Sequence, residues 1–508
     1  MSRGQPDAIL ADAAVIDVGS NSVRLVMYRL DGRAIWTVFN EKVLAGLGRD
    51  LANSGRLSAD GIATAMNALR RFQALLEASR PAQVHAVATA AIRDAADGGD
   101  FRRRVEVESG LSLRVLSGAE EARYAALGVI AGAPDADGLA GDLGGASLEL
   151  TQIADGKAGR GVTLPLGPFS FGSVFDPNKV KNAVNRELKG VSDDFRGRTL
   201  NAVGGAWRNL ALLHMRLADY PLGIIHQYEL SRSEALSVAR FVEQQSRGSL
   251  ERIEGISRRR VDTLPHAAAV LEGLIDGLGV RRVRVSAFGL REGMLFEAMS
   301  RGVRRQDPLI SGCAALGGRP GPAESLGAAL EAWLATAFGK LDALFGARDQ
   351  ILLAAACRLA DFGAQLHPDH RADLVFEQVL RAPIAGLDHH ERVFLACAAF
   401  GRHTASSTVP APQVVSRLLN SERYERARAL GAAVRLGCDI SGRSPNLLGR
   451  ARLDFKSEVV SLQVDPGWEA MMLGEAIAKR AATLATMLGR ELRLKPSPAR
   501  AAARRAVG

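Results

Sequence analysis

Cysteine is scarce: Cys313, Cys357, Cys397 and Cys438 are the whole complement of a 508-residue chain, far apart and never spaced Cys-x-x-Cys. Such spacing suggests neither a zinc knuckle nor a disulfide framework, so these residues are expected to act as buried small apolar side chains. Aromatic residues amount to 5% and do not interleave with the basic clusters. Single-stranded nucleic acid is gripped by stacking on aromatic rings, so no specific nucleic-acid partner is expected. Long apolar runs are missing too. None approaches the ~18 to 20 residues that span a bilayer, and Met1 to Asp7 lacks the apolar core of a signal peptide. The expectation is a cytoplasmic protein without membrane contact.

What is present is an ordinary globular composition, 47% hydrophobic. The length calls for several domains, because single cores seldom grow past ~250 to 300 residues. A formal charge of +10 and a pI near 9.8 attract polyanions at long range. Nucleic acid, polyphosphate, a nucleotide and an acidic protein all satisfy that charge, and so does a basic surface with no ligand.

The densest signal is Val15-Ile16-Asp17-Val18-Gly19-Ser20-Asn21-Ser22-Val23-Arg24-Leu25. An apolar run carries an Asp into a small polar turn, and alternation then resumes, which reads as strand, tight turn, strand. The common Gly-rich phosphate loops lead into a helix, so this is a different device: a hairpin whose backbone N–H groups can face an anion. The pattern Asp-x-Gly-x-x-Ser-x-x-Leu returns 125 residues on, at Asp142-Leu143-Gly144-Gly145-Ala146-Ser147-Leu148-Glu149-Leu150. Two copies a domain-length apart predict a duplicated domain with two phosphate hairpins facing one cleft. Gly19, Ser20, Asn21 and Ser22 form one turn, and Gly144, Gly145, Ala146 and Ser147 the other. Arg24 and Glu149 occupy matching positions, so the hairpins differ chemically and the second is the expected metal side. Asp17, Asp142 and Glu149 suit Mg²⁺, which takes oxygen ligands, keeps waters and bridges phosphates.

Strands alternate with helices through the first 300 residues, so the fold class is α/β. Helices are expected at Ser58–Ala78, Gly99–Ser109 and Pro177–Leu188, and from Ser117 onward. Strands are expected at Val84–Thr89, Leu113–Leu116, Thr199–Val203 and Val283–Gly289. Residues 1–135 and 136–308 form the two α/β domains. The Gly/Pro-rich stretch Pro308–Pro322 reads as a linker. Residues 309–443 are Ala/Leu-rich with helical spacing, an all-helical domain. Residues 444–508 read as a small α+β domain, with a strand pair over 451–464, a helix over 468–488, a strand at Glu491–Leu494 and a basic tail.

Glu120 and Glu121 sit side by side at a helix start and point about 100° apart, so they cannot enter a cleft in the same way. Acidic residues there favour the helix N-terminus by ~0.3 to 1 kcal/mol each. Alternatively, one positioned carboxylate orients or deprotonates a water that attacks a phosphoanhydride. Arg93, just past a strand end, either clamps a phosphate with its planar fork or pairs with Asp94. Gly204-Gly205 either packs under a nucleotide or makes a close strand-to-helix turn. The clusters Arg258–Arg260 and Arg281–Arg284, with Arg301, Arg304 and Arg305, form either solvated faces or a channel. His367-Pro368-Asp369-His370 and His389-His390-Glu391 invite a metal reading, against which stands ordinary use at helix ends.

These motifs resemble the exopolyphosphatase and guanosine pentaphosphate phosphohydrolase (Ppx/GppA) family of the actin-like, sugar kinase and Hsp70 superfamily. Besides the two hairpins, the resemblance rests on Ala88-Thr89-Ala90-Ala91-Ile92-Arg93-Asp94-Ala95, Ser117-Gly118-Ala119-Glu120-Glu121-Ala122 and Gly289-Leu290-Arg291-Glu292-Gly293, in family order over about residues 14–305. It implies two ribonuclease-H-like domains enclosing a cleft for Mg²⁺-dependent removal of terminal phosphate from inorganic polyphosphate. Guanosine pentaphosphate hydrolysis at the same site, phosphate transfer from polyphosphate to a nucleoside diphosphate, and alarmone sensing without turnover are the alternatives. By resemblance, Glu121 is the catalytic carboxylate acting on water and Asp142 the essential acid near metal and phosphate. Glu149 supports the metal site, and Arg93 contacts phosphate. Ala146 departs from the family's usual third Gly, a change that bears on loop geometry. Residues 350–405 resemble an appended HD-like helical domain, but no His precedes Asp361, so a structural role is expected there. The long form of the family also implies a homodimer.

Overall fold

The first alternating segment becomes three strands, β1 (Ala13–Val18), β2 (Val23–Asp31) and β3 (Ala34–Val43), joined as antiparallel neighbours. Two parallel strands, β4 (Gln83–Ala88) and β5 (Arg114–Val115), extend the sheet on the other side in the order β3-β2-β1-β4-β5. This computed structural model describes residues 12–172, 174–191, 193–253, 261–317 and 325–496. The chain divides into two compact units, Met1–Pro308 and Leu309–Gly508.

The second sheet contains β6 (Gly138–Leu143), β7 (Leu148–Ala154), β8 (Lys157–Leu164), β9 (Thr199–Val203), β10 (Glu229–Ser231) and β11 (Arg282–Val285). Their order is β10-β11-β9-β6-β7-β8. Without the short edge strand β10, this repeats the first sheet strand for strand. Registers agree as well: Asp17 lies opposite Arg24, and Asp142 opposite Glu149. The duplication read from the two motifs is therefore a duplication of topology.

Alternation decides which helices each sheet face meets. Ala14, Ile16 and Met27 pack with Met66, Leu69 and Phe72 of the helix Ala59–Ser79. Ala13, Val15, Val26 and Tyr28 point the other way, onto Tyr124 and Leu295. Those two residues belong to the helices Gly118–Gly132 and Leu290–Ala298. The same helices also pack under the second sheet, where Ala126, Val129 and Phe296 join Ala140, Ile153 and Val203. One helix pair thus serves both sheets.

Its crossing is close. A Cβ at Gly293 would lie 1.9 Å from the Tyr124 carbonyl oxygen, and one at Gly128 would lie 2.0 Å from that of Gly289. Backbone meets backbone there, which only glycine permits.

The second unit carries the helices Leu326–Phe338, Arg348–Arg358, Arg371–Arg381, His389–His403 and Ser421–Ser441. A three-stranded sheet follows, β12 (Ala451–Lys456), β13 (Val459–Val464) and β14 (Glu491–Pro496). The His389-His390-Glu391 motif has structural surroundings, whereas His367 and His370 are exposed. His389 is buried, His390 Nδ1 lies 2.6 Å from the Leu418 carbonyl, and Glu391 pairs with Arg348. Arg443 lies 3.5 Å from Asp361, for which a structural role is expected.

Two local expectations need correction. Pro308–Leu316 is a helix rather than linker, because its apolar residues outweigh the nearby Gly and Pro; residues 318–322 lie outside the described residues. The helix expected over 468–488 is broken into Glu469–Met472 and Glu475–Met487, with Gly474 as the new N-cap. Ala90–Asp94, which follows the end of β4, is a helical turn. Arg258–Arg260 and the tail after Pro496 lie outside the described residues. Among those described, no helix is long and apolar enough to cross a membrane.

Gly293→Ala is expected to destabilise the first unit by about 2 to 3 kcal/mol through overpacking. Gly99→Ala is the control, since it sits in the helix Gly98–Ser109 with nothing within 4 Å of an added Cβ. It should be neutral or stabilising by up to about 1 kcal/mol. Equal effects in denaturant titrations would contradict the close crossing.

Candidate active site

Each hairpin turn closes in the same way: Gly19 N–H donates to the Ser22 carbonyl at 2.9 Å, and Gly144 N–H to the Ser147 carbonyl at 2.9 Å. Each turn is also tied from behind. Gly46 N–H donates to the Asn21 carbonyl at 3.0 Å and Gly48 N–H to the Ser20 carbonyl at 2.8 Å. On the second turn, Gly167 N–H reaches the Ala146 carbonyl at 3.1 Å and Phe169 N–H the Gly145 carbonyl at 2.8 Å. Ser170 Oγ adds a bond to the Ala146 carbonyl at 2.8 Å. A trans peptide points its N–H opposite its C=O. With these carbonyls turned to the backing loops, the amides of Asn21, Ser22, Ala146 and Ser147 are turned away from them, as an anion nest requires. Ala146 replaces the expected glycine without strain, since it is not among the residues with positive φ.

The turns approach closely. A Cβ on Gly145 would meet Ser20 Cβ at 3.2 Å. Between and beneath them lies a cavity of about 290 Å³ lined by both turns, Asp17, Glu121, Asp142 and Glu149. Arg24, Lys42, Arg208 and Arg291 complete its charged wall.

The two adjacent glutamates separate as their 100° offset requires. Glu120 closes a capping box with Ser117, accepting from Ser117 N–H at 2.9 Å, and pairs with Arg114. Glu121 is buried and lines the cavity. Arg93 Nη1 donates both to Glu121 and, at 3.0 Å, to the Leu116 carbonyl, while Arg93 Nε reaches Asp94 at 3.0 Å. The structure thus places Arg93 behind Glu121 rather than among the cavity-lining residues.

Burial pushes the Glu121 carboxyl up to about 7, helped by Asp142 and Asp17 and opposed by Arg93. Burial likewise carries Asp142 up to about 6, against the pull of Arg208. Glu149, buried beside Glu121 and Asp142, is raised well above its ordinary value, although Ser147 Oγ donates to it at 2.5 Å. Asp17 is also raised by burial, with Arg291, Arg24 and Lys42 working against the shift.

Several site residues escaped the reading of the sequence. Arg291 is 3.7 Å from Asp17, and its Nε is buried without a hydrogen-bond partner. Its neighbour Glu292 accepts from Tyr28 Oη at 2.8 Å and from Gly289 N–H at 2.9 Å, tying the start of this helix to β2. Burial opposes the charge on Arg291, but Glu292, Tyr28, Asp17 and Asp142 outweigh it. Arg208 donates to the carbonyls of Ser286 at 3.3 Å and Ala287 at 2.7 Å. The motif Gly289–Gly293 and the position just after Gly204-Gly205 were the available signals.

Among the described residues, no three His, Cys, Asp or Glu side chains form a ready-made cage for a metal ion. Asp17, Asp142 and Glu149 nevertheless fit Mg²⁺: they are oxygen donors, Glu149 buried and the two aspartates half-buried, lining the cavity between the turns, and this ion commonly relies on one or two carboxylates plus substrate oxygens and water.

A duplicated α/β architecture with paired anion turns over buried carboxylates defines a protein built to handle phosphate. The Ppx/GppA phosphatase family model matches residues 26–302, and the exopolyphosphatase C-terminal model matches residues 330–495. The chain belongs to the Ppx/GppA phosphatase family, in its long two-part form, and is therefore a hydrolase. It is similar to an exopolyphosphatase from Cytophaga hutchinsonii (22% identity, 56% of this chain and 97% of that one, TM-score 0.52). A second similar structure is an exopolyphosphatase-like protein (23% identity, 57% and 97%, TM-score 0.52). A third is the Aquifex aeolicus family member (25% identity, 56% and 95%, TM-score 0.49). The first two share the fold of the part of the chain they cover.

The raised carboxyls give a pH test. Native Asp142 and Glu121 hold protons up to about 6 and 7, whereas unfolded carboxyls release theirs near 4. Between those values the native state binds more protons than the unfolded state, so the metal-free protein loses stability as pH rises. Asp142→Asn should therefore raise the Tm in EDTA by about 2 to 6 °C at pH 8 and leave it near wild type at pH 4. An equal shift at both pH values would contradict the assignment.

Proposed function

We propose that the protein is an exopolyphosphatase, hydrolysing the terminal phosphate of inorganic polyphosphate with Glu121 as the base. The observation that carries this reading is Glu121 itself: buried, fixed by Arg93 and opening onto the cavity that the two anion turns enclose. The terminal phosphate sits between the turns, its oxygens accepting from the amides of Asn21, Ser22, Ala146 and Ser147. Glu121, in its ionised form, accepts a proton from a water aligned on that phosphorus. The water oxygen–phosphorus bond forms as the bridging oxygen–phosphorus bond breaks. Orthophosphate is released, and the shortened chain leaves with the electron pair on its new terminal oxygen. Arg24, Lys42, Arg208 and Arg291 stabilise that leaving charge across the cleft. Arg93 holds Glu121 in one rotamer, which keeps the base aimed at the water.

When bound, Mg²⁺ supplies charge neutralisation at the phosphate oxygens, and Asp17, Asp142 and Glu149 are the residues that would hold it. This oxygen-rich set recommends magnesium over the softer metals, which favour nitrogen and sulfur ligands.

Phosphate release from long polyphosphate and from guanosine pentaphosphate, with and without Mg²⁺, tests the reading. Polyphosphate turnover is expected to be the faster and to fall by about 10² or more in Glu121→Gln. Full activity in that variant would remove Glu121 from the mechanism, and faster guanosine pentaphosphate cleavage would change the substrate.

A further inference from the structure

The cleft continues past the first anion turn. A second recess, of about 530 Å³, is lined by Asn21, Lys42, Val43, Leu44 and Arg49. Asn21 and Lys42 also line the main cavity, so the two spaces adjoin. Arg49 rides on the loop that backs the first turn. Its own N–H donates to the Gly46 carbonyl at 3.1 Å, while Gly46 and Gly48 bond the turn residues Asn21 and Ser20. Its guanidinium lies over Gly46, where a Cβ would come within 2.9 Å of Nη2. The same loop therefore shapes the terminal-phosphate turn and carries a cation to the rim.

Cations run outward from the floor. Arg291 and Arg24 both line the main cavity. Arg24 lies opposite Lys42 in the β2/β3 register, and Lys42 adjoins the recess holding Arg49. The second turn differs, for its backing loop adds Pro168 and Phe169 to the cavity wall. Among the described residues, none that lines the recess is an aromatic on which a base could stack.

We propose that Arg49, at the outer end of the row that includes Arg24 and Lys42, forms a distal phosphate subsite for the remainder of a linear polyphosphate, which leaves the cleft along the first turn's side. The proposal rests on the exopolyphosphatase reading for its substrate. It adds the direction in which the chain lies and a residue that favours long chains over short ones. A chain with a charge on every phosphate gains from such spaced cations, and a long chain offers more phosphates to the outer ones than tripolyphosphate does.

The test is equilibrium binding of tripolyphosphate, long-chain polyphosphate and guanosine pentaphosphate to the full-length protein with Mg²⁺. It is made in the Glu121→Gln background, so that the ligands are not consumed. Arg49 is exposed, so its variants should fold. Arg49→Ala is expected to weaken long-chain binding about five-fold more than tripolyphosphate binding, and Arg49→Glu about twenty-fold more, while Arg49→Lys, which keeps the charge, falls between wild type and Arg49→Ala. Arg56→Ala, another exposed arginine of the same unit, is the control and should not discriminate. Equal weakening of both chains, no difference from the control, or a loss confined to guanosine pentaphosphate would overturn the subsite. Hydrolysis by the wild type reports separately on the exopolyphosphatase reading. Turnover without Arg49 discrimination sinks the subsite alone, and discrimination without turnover sinks the activity alone.

Discussion

The contact on which the rest of the first unit depends is the backbone crossing of the helices Gly118–Gly132 and Leu290–Ala298 at Gly128 and Gly293. Both sheets lay a face on this pair, so its geometry sets how the two halves meet. The N-terminal turns of the same helices carry Glu121 and Arg291 into the cavity. Any side chain at the crossing would separate the helices and move both charged groups together. Packing here fixes positions in the site, and the glycines are structural requirements of the chemistry.

Electrostatics then divides the labour. Four carboxylates, Asp17, Glu121, Asp142 and Glu149, are held in a cavity that raises all of them, chiefly by burial. Such a cluster is unfavourable without compensation. Arg93 and Arg291 provide part of it from opposite sides, and a divalent cation with an anionic substrate would complete it. The anion turns add donors that carry no formal charge, so under the proposed mechanism they would hold phosphate without cancelling the carboxylates nearby.

Much of this was legible in the residues. The repeated Asp-x-Gly-x-x-Ser-x-x-Leu pattern located both turns because hairpins are local structures written in consecutive residues. The 100° offset between Glu120 and Glu121 already required different fates for them, and the capping box took Glu120. Arg93 is placed between its two sequence readings: it contacts Asp94, as the bland one had it, while its main service is to Glu121. Arg208 and Arg291 were not singled out because their partners lie far away in sequence, across the cleft or in another strand. The backing loops at Gly46–Arg49 and Gly167–Ser170 were equally silent, since nothing in their own sequence says what they support. The helix at Pro308–Leu316 shows the opposite error, in which Gly and Pro nearby were given more weight than an apolar stretch able to pack.

Hydrolysis of polyphosphate in oxygen-18 water, with the positions of the label read by mass spectrometry, tests the central claim most directly. If Glu121 activates a water against the terminal phosphorus held between the two turns, each released orthophosphate carries one labelled oxygen and the shortened chain carries none. Label on the end of the retained chain, or orthophosphate released without label, would contradict it.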